Sequence, residues 1–165
     1  MKIIYLWLLV ITLLLVACAS DTQKVNNIDD VMIDKFRENQ KPDYNGDWLG
    51  GNDKTPYLEF NKEDYERVLR ENKKVLLYFY ANWCPICKGE QPNTISAFNE
   101  ISDSELIGFR VNYRDSETDK DEEALAKEFG VAYQHTKVIL KDGKLLHKFP
   151  DSWAKERYLE ELKKI

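Results

Sequence analysis

Cysteine is scarce in this chain, with three among 165 residues. A small fold stapled by disulfides needs several pairs, so a disulfide framework is excluded and the fold must rest on its own core. Proline is equally thin at five, and none falls between Pro92 and Pro150. Cations are in the minority, 24 lysines and arginines against 29 acids, giving a net charge of −5. They are interspersed with the acids, without a basic stripe or Arg-rich block, which excludes nucleic-acid binding. Repeats and low-complexity tracts are missing. The longest apolar run, Ile3–Ala17, has 15 residues, short of the roughly 20 that a membrane span requires.

What is present at the N-terminus is ordered in kind. Lys2 precedes the apolar run, and Leu15-Val16-Ala17-Cys18 closes it. A basic start, a short apolar core and small residues at the end read as a secretory signal. The closing tetrapeptide resembles the lipobox of bacterial lipoproteins, in which the signal is cut before the cysteine and the cysteine carries the lipid. The resemblance implies a signal peptide over residues 1–17 and lipidation of Cys18. It also implies a protein anchored to a cell membrane on its extracytoplasmic side, periplasmic or outer face. The plainer alternatives are an uncleaved anchor, or an ordinary signal with a chance cysteine. Loss of residues 1–17 removes the charge of Lys2 and leaves −6.

Residues 18–54 read as a polar tether rich in Asp, Asn and Lys. As flexible coil they would span roughly 30–35 Å. Ile28, Val31, Met32 and Phe36 share a face and suggest a short helix there. Trp48 and Leu49 are candidates to dock on the domain that follows.

Residues 55–165 alternate strand and helix signals. Strands are expected at Tyr57–Phe60, Val75–Tyr80, Leu106–Asn112, Thr136–Leu140 and Lys144–Phe149. The last two flank Lys141-Asp142-Gly143, a hairpin signal. Helices are expected from Asn61 to about Asn72, from Cys84 to about Glu100, over Asp121–Phe129, and from a Ser152 cap to the C-terminus. Asn61 caps the first, with Asp64 as a capping-box analogue. The order βαβαβαββα places the domain in the α/β class, with a mixed central sheet flanked by helices.

The chemistry concentrates in Trp83-Cys84-Pro85-Ile86-Cys87. The motif follows an apolar strand and opens a helix, with Pro85 at the tolerated first position. Free N–H groups and the helix dipole favour a thiolate at Cys84, and thiolates are the attacking species in disulfide exchange. Cys87, one turn on, can resolve a mixed disulfide. Cys84 is expected to be the exposed attacker and Cys87 the more buried partner. A structural zinc site is disfavoured, because it wants four ligands and only His135 and His147 are at hand as nitrogen donors.

The element order and this motif resemble the thioredoxin superfamily over residues 55–165. Ala81-Asn82-Trp83 matches the family's Ala-x-Trp lead-in, and Pro92 matches the proline that kinks its active-site helix. Phe129-Gly130-Val131 and Lys141-Asp142-Gly143 match the family's Tyr-Gly-Ile and Lys-Asn-Gly segments. Three departures stand beside these matches. His135 occupies the place of the family's cis-proline, and a non-proline cis bond costs about 3–4 kcal/mol, so the Gln134–His135 bond is expected to be trans. There His135 would face the cysteines, stabilising a thiolate if protonated, acting as base or metal ligand if neutral, or touching neither sulfur. Tyr78 replaces the family's buried acid, with core packing as its plainest role. Arg110 falls near that acid's lysine partner, although a solvated strand-end arginine is as natural. His147 has no such context and reads as a surface or structural residue.

The expected function is a membrane-anchored thiol–disulfide oxidoreductase using Cys84 and Cys87. Trp83, Pro85, Ile86, His135 and Tyr78 form its surroundings. Its partners would be protein disulfides or dithiols and a redox partner, and no cofactor is expected. Ile86 supplies no charge to the thiolate, which favours the reducing direction. The chain shows no oligomeric interface and is expected to be a monomer. The alternatives are a metal or iron–sulfur protein using Cys84, Cys87 and His135, and a redox-inert interaction module.

Overall fold

Alternation along the central strand builds two cores, one on each face of a sheet. In the computed structural model, which describes residues 43–165, strand β3 spans Lys74–Tyr80. Its Val75, Leu77 and Phe79 point into one core, and Leu76, Tyr78 and Tyr80 into the other. Period-two side-chain placement makes this division, and burial of both faces explains why the run is continuously apolar. The signal segment, Cys18, the expected helix near residue 30 and the tether up to residue 42 lie outside the described residues.

The remaining elements are β1 (Trp48–Gly51), β2 (Pro56–Glu59), α1 (Lys62–Arg70), α2 (Pro85–Glu100), β4 (Leu106–Asn112), α3 (Lys120–Glu128), β5 (Thr136–Lys141), β6 (Lys144–Phe149) and α4 (Lys155–Lys163). The sheet order is β1-β2-β4-β3-β5-β6. β2, β4 and β3 run parallel to one another, whereas β1, β5 and β6 join antiparallel. Tyr65 and Val68 of α1 and Leu125 of α3 enter the first core. Ala97 and Phe98 of α2, with Tyr158 and Leu162 of α4, enter the second. The α/β class and mixed sheet are as the sequence predicts. Among the described residues, no helix is long and apolar enough to cross a membrane.

Strand β1 lies inside the stretch that reads as tether. It pairs with β2, and the segment before it is held by Asp64, whose carboxylate accepts the N–H groups of Asn45 and Gly46 at 2.8 and 2.9 Å. Asp64 therefore does not reach back to complete a capping box. Asn61 caps α1 alone, accepting from Glu63 and Asp64. A Cβ on Gly50 would meet Ile95 of α2 at 2.9 Å, so this glycine lets the strand lie close against the helix, while Gly51, with φ +88°, lets it turn tightly against the Thr55 carbonyl before β2.

The last helix also starts differently from expectation. Its N-cap is Ala154, which supplies no side-chain hydrogen bond, and Ser152 lies outside it. The chain between is set by burial of Trp153 in the second core, and this fixes where α4 can begin. Ala154→Ser is therefore expected to raise the unfolding free energy in urea by about 1 kcal/mol, while Ser152→Ala leaves it within about 0.5 kcal/mol.

Candidate active site

Strand β3 delivers the chain to a turn over Ala81–Trp83, and α2 begins directly after it. The turn is tied down at three points. Cys84 N–H donates to the Ala81 carbonyl at 3.0 Å, Asn82 N–H to Asp115 at 2.8 Å, and Trp83 Nε1–H to the Arg114 carbonyl at 3.0 Å. Cys84 is itself the N-cap, with extended φ and ψ of −82° and 115°. Its sulfur accepts the Cys87 N–H at 3.3 Å, the place an Asp or Ser oxygen takes in an ordinary cap. Pro85 follows at a position whose N–H has no helical partner.

Burial alone would raise the Cys84 thiol. Hydrogen bonds from the Cys87 side chain and backbone, the Gln134 side chain and the Ile86 backbone outweigh it and hold Cys84 below the ordinary thiol range. Cys87 goes the other way, pushed up to about 11 by burial first and then by its hydrogen bond to Cys84. A backbone hydrogen bond from Ala81 and one from the Tyr78 hydroxyl offset part of that rise. The pair thus divides into one thiol held low and one held high. Exposure divides them less than expected, since Cys84 is 2% exposed and Cys87 fully buried. The exposed apolar groups nearby are Trp83 and Ile86, which flank Cys84 in sequence, and Tyr133.

His135 is brought to the cysteines as its aligned position suggests. One ligating atom from each of Cys84, Cys87 and His135 lies within 4.8 Å of the others. All described peptide bonds are trans, and His135 has φ +52°, a left-handed conformation that histidine adopts more readily than most residues. Burial, seconded by the nearby Lys137 ammonium, holds the imidazole below its ordinary pKa. The ring is neutral at neutral pH, so it does not act as a cation beside the thiolate.

Beneath Cys87 is an ion pair absent from the sequence reading. Glu90, one helical turn after Cys87, is buried and paired with buried Lys137 of β5. Its Oε1 also accepts Trp153 N–H at 2.8 Å and the Tyr158 hydroxyl at 2.7 Å. Its Oε2 accepts the Tyr78 hydroxyl at 3.2 Å. The ammonium donates further to the Asp151 and His135 carbonyls at 2.6 and 3.2 Å, which satisfies its three N–H groups. It also lies 5.1–5.7 Å from the ring centroids of Tyr78, Trp153 and Tyr158. Tyr78 is therefore more than core filling, because its hydroxyl donates to Glu90 and lies near Cys87. Burial keeps its phenol protonated.

Arg110 does not join this network. It pairs with Glu59 and stacks on Tyr80 at 5.0 Å. His147 is exposed on β6, against Phe149. One sequence signal could have pointed to this pair: Glu90 falls i+3 from Cys87 on one helix face. Lys137 is placed opposite Tyr78 only by the strand register of the folded sheet.

Fold and site together define an α/β domain with a helix-capping dithiol at the end of its central strand. The thioredoxin family model matches residues 56–164, and the chain belongs to that family. It is 30% identical over 89 residues to the mitochondrial thioredoxin-3 of Saccharomyces cerevisiae, an alignment covering 53% of this chain and 63% of that protein. Thioredoxin-T of Drosophila melanogaster is 33% identical over 91 residues, covering 54% of each. The matched segment therefore spans less than two thirds of either relative. A solved mutant thioredoxin of Halobacterium salinarum shares the fold, with a TM-score of 0.52 at 22% identity, covering 70% of this chain and 93% of that one.

Iodoacetamide labelling of the reduced protein, resolved by mass spectrometry, should modify Cys84 at neutral pH and reach Cys87 only towards pH 11; equal labelling of both contradicts the division. Glu90→Gln should lower the unfolding free energy in urea by about 3–5 kcal/mol, because it strands a buried ammonium. Glu90→Leu combined with Lys137→Met should cost less than the sum of the single changes.

Proposed function

We propose that this chain is a thiol–disulfide oxidoreductase acting on protein disulfides in the reducing direction. The observation that carries the reading is the N-cap thiol of Cys84, held low by its hydrogen bonds, with Cys87 one turn behind it. The Cys84 thiolate attacks one sulfur of a partner disulfide. That S–S bond breaks, its second sulfur leaves as a thiolate, and a mixed disulfide remains. Cys87 then attacks the Cys84 sulfur, releasing the partner's other thiolate and forming the Cys84–Cys87 disulfide. Two electrons pass to the partner, and an external dithiol must return them.

The second step needs Cys87 as a thiolate. The Lys137 ammonium nearby favours that form, and the Tyr78 hydroxyl, which gives its one proton to Glu90, can turn it to the sulfur at that step; Glu90 holds both groups in position. The apolar rim of Trp83, Ile86 and Tyr133 suits an unfolded or extended polypeptide around the target disulfide. Ile86 brings no charge that would stabilise a strongly oxidising thiolate, which supports the reducing direction.

The N-terminus adds a location to this chemistry. Leu15-Val16-Ala17-Cys18 supports export and lipidation at Cys18, which would put the redox domain outside the cytoplasm on a membrane tether.

Reduction of insulin disulfides in the presence of a dithiol is the test. Wild type should accelerate it, Cys84→Ser should abolish the acceleration, and Cys87→Ser should accumulate mixed disulfides with the substrate. Activity that survives Cys84→Ser sinks the redox reading. In cells, Cys18→Ala should move the protein out of the membrane fraction and remove incorporated fatty acid; unchanged fractionation removes the lipid anchor.

A further inference from the structure

We infer that Cys84, Cys87 and His135 of the reduced protein also form a metal site, taking one thiophilic divalent cation of the Zn2+ class and leaving a fourth coordination position open. The site shares the cysteine pair with the redox reading but asks of it a different chemistry.

Three donors converge from two elements. Both thiols come from the start of α2, and the imidazole from the loop entering β5, with one ligating atom from each within 4.8 Å of the others. Two thiolates and one imidazole suit Zn2+, which is ordinarily tetrahedral; three protein ligands with an open place is a known arrangement for it. Among the described residues no fourth ligand joins these three, and His147 is exposed on the edge strand, which leaves the fourth position to water or to an incoming thiolate.

The surroundings supply independent support. Nδ1 of His135 is buried without a hydrogen-bond partner, and such a group carries a desolvation cost that ligation of the ring or a reoriented partner would relieve. The ring is held over the cysteines by an uncommon backbone, φ +52°. That conformation is braced by Lys137 donating to the His135 carbonyl at 3.2 Å and Thr136 Oγ1 donating to the Tyr133 carbonyl at 2.8 Å. A strained residue that aims a polar ring at two thiols is where a site is to be sought. Charge also closes, because two thiolates and a dication sum to zero, and the one nearby ammonium is already neutralised by Glu90. The ion would therefore enter without leaving an unpaired buried charge. Binding releases the remaining thiol protons to solvent and involves no electron transfer. It is exclusive with the Cys84–Cys87 disulfide, which has no thiolate to offer, so only the dithiol state binds.

Anaerobic titration of the full, reduced chain with Zn2+ against a chromophoric chelator tests the site. One equivalent should bind, Co2+ in its place should give thiolate-to-cobalt charge-transfer absorption, and the disulfide form should bind none. His135→Asn, which retains a residue tolerant of positive φ, should weaken binding at least roughly tenfold. In the unsubstituted chain the His135 ring nitrogens should shift in 15N NMR on adding Zn2+, a readout that does not depend on any variant folding. Absence of stoichiometric binding, a His135 ring that does not respond, or equal affinity in a folded His135→Asn protein overturns the proposal. A chain that reduces insulin but binds no Zn2+ loses the metal site alone, and one that binds Zn2+ through His135 but exchanges no disulfides loses the redox reading alone.

Discussion

The buried pair of Glu90 and Lys137 is the constraint around which the active-site half of the molecule is arranged. Glu90 comes from α2 and Lys137 from β5, and the carboxylate also receives donors from β3, from the segment before α4 and from α4 itself. Four elements on one face of the sheet are thereby tied to a single carboxylate. An ion pair without access to water is costly unless every donor and acceptor is satisfied. Here the ammonium has three oxygen partners and three aromatic rings around it. The network leaves little freedom in the relative placement of α2 and β5, the two elements that carry the cysteines and lead into His135.

That placement gives the cysteine pair its character. Hydrogen bonds from the Cys87 side chain and backbone, the Gln134 side chain and the Ile86 backbone set the Cys84 thiol low. The packed interior sets Cys87 high and places the Tyr78 phenol and the Lys137 ammonium near it. An acid and a cation are paired in the core near Cys87, at positions other than those the family resemblance points to. The acid stands on the helix rather than on the central strand, and the cation stands on β5 rather than at Arg110. Tyr78, where the acid would be expected, becomes the link between them. His135 is close to both sulfurs but neutral, so its value lies in its lone pair and not in its charge.

Most of the fold is legible along the chain because its signals are local. The alternating and continuous apolar runs mark the five strands from β2 to β6 to within a residue or so, and the helices α1, α2 and α3 follow from the Asn61 cap, from Pro85 and from Gly130 respectively. Two elements escape such signals. β1 is four residues, half of them glycine, and exists because Asp64 holds the segment before it and Ile95 leaves room for Gly50. Neither partner is near it in sequence. The start of α4 passes over the better cap, Ser152, because burial of Trp153 settles the path first. Packing outweighs a cap whose worth is about 1 kcal/mol.

The site divides in the same way. The cysteine pair at the helix start and the lack of a proline at position 135 can both be read along the chain, since spacing within one helix turn and position after a strand are properties of neighbouring residues. His135 is marked there too, as the residue to watch. It took the packed molecule to make His135 neutral, to enclose Cys84 nearly as fully as Cys87, and to bury Glu90 and Lys137 together. A lysine in a strand and a glutamate on a helix are ordinarily solvated. They become a pair only when the β3–β5 register sets Lys137 opposite Tyr78, on the face that α2 covers. Desolvation then turns two ordinary charges into the base of the site, and desolvation belongs to tertiary packing, not to any stretch of neighbouring residues.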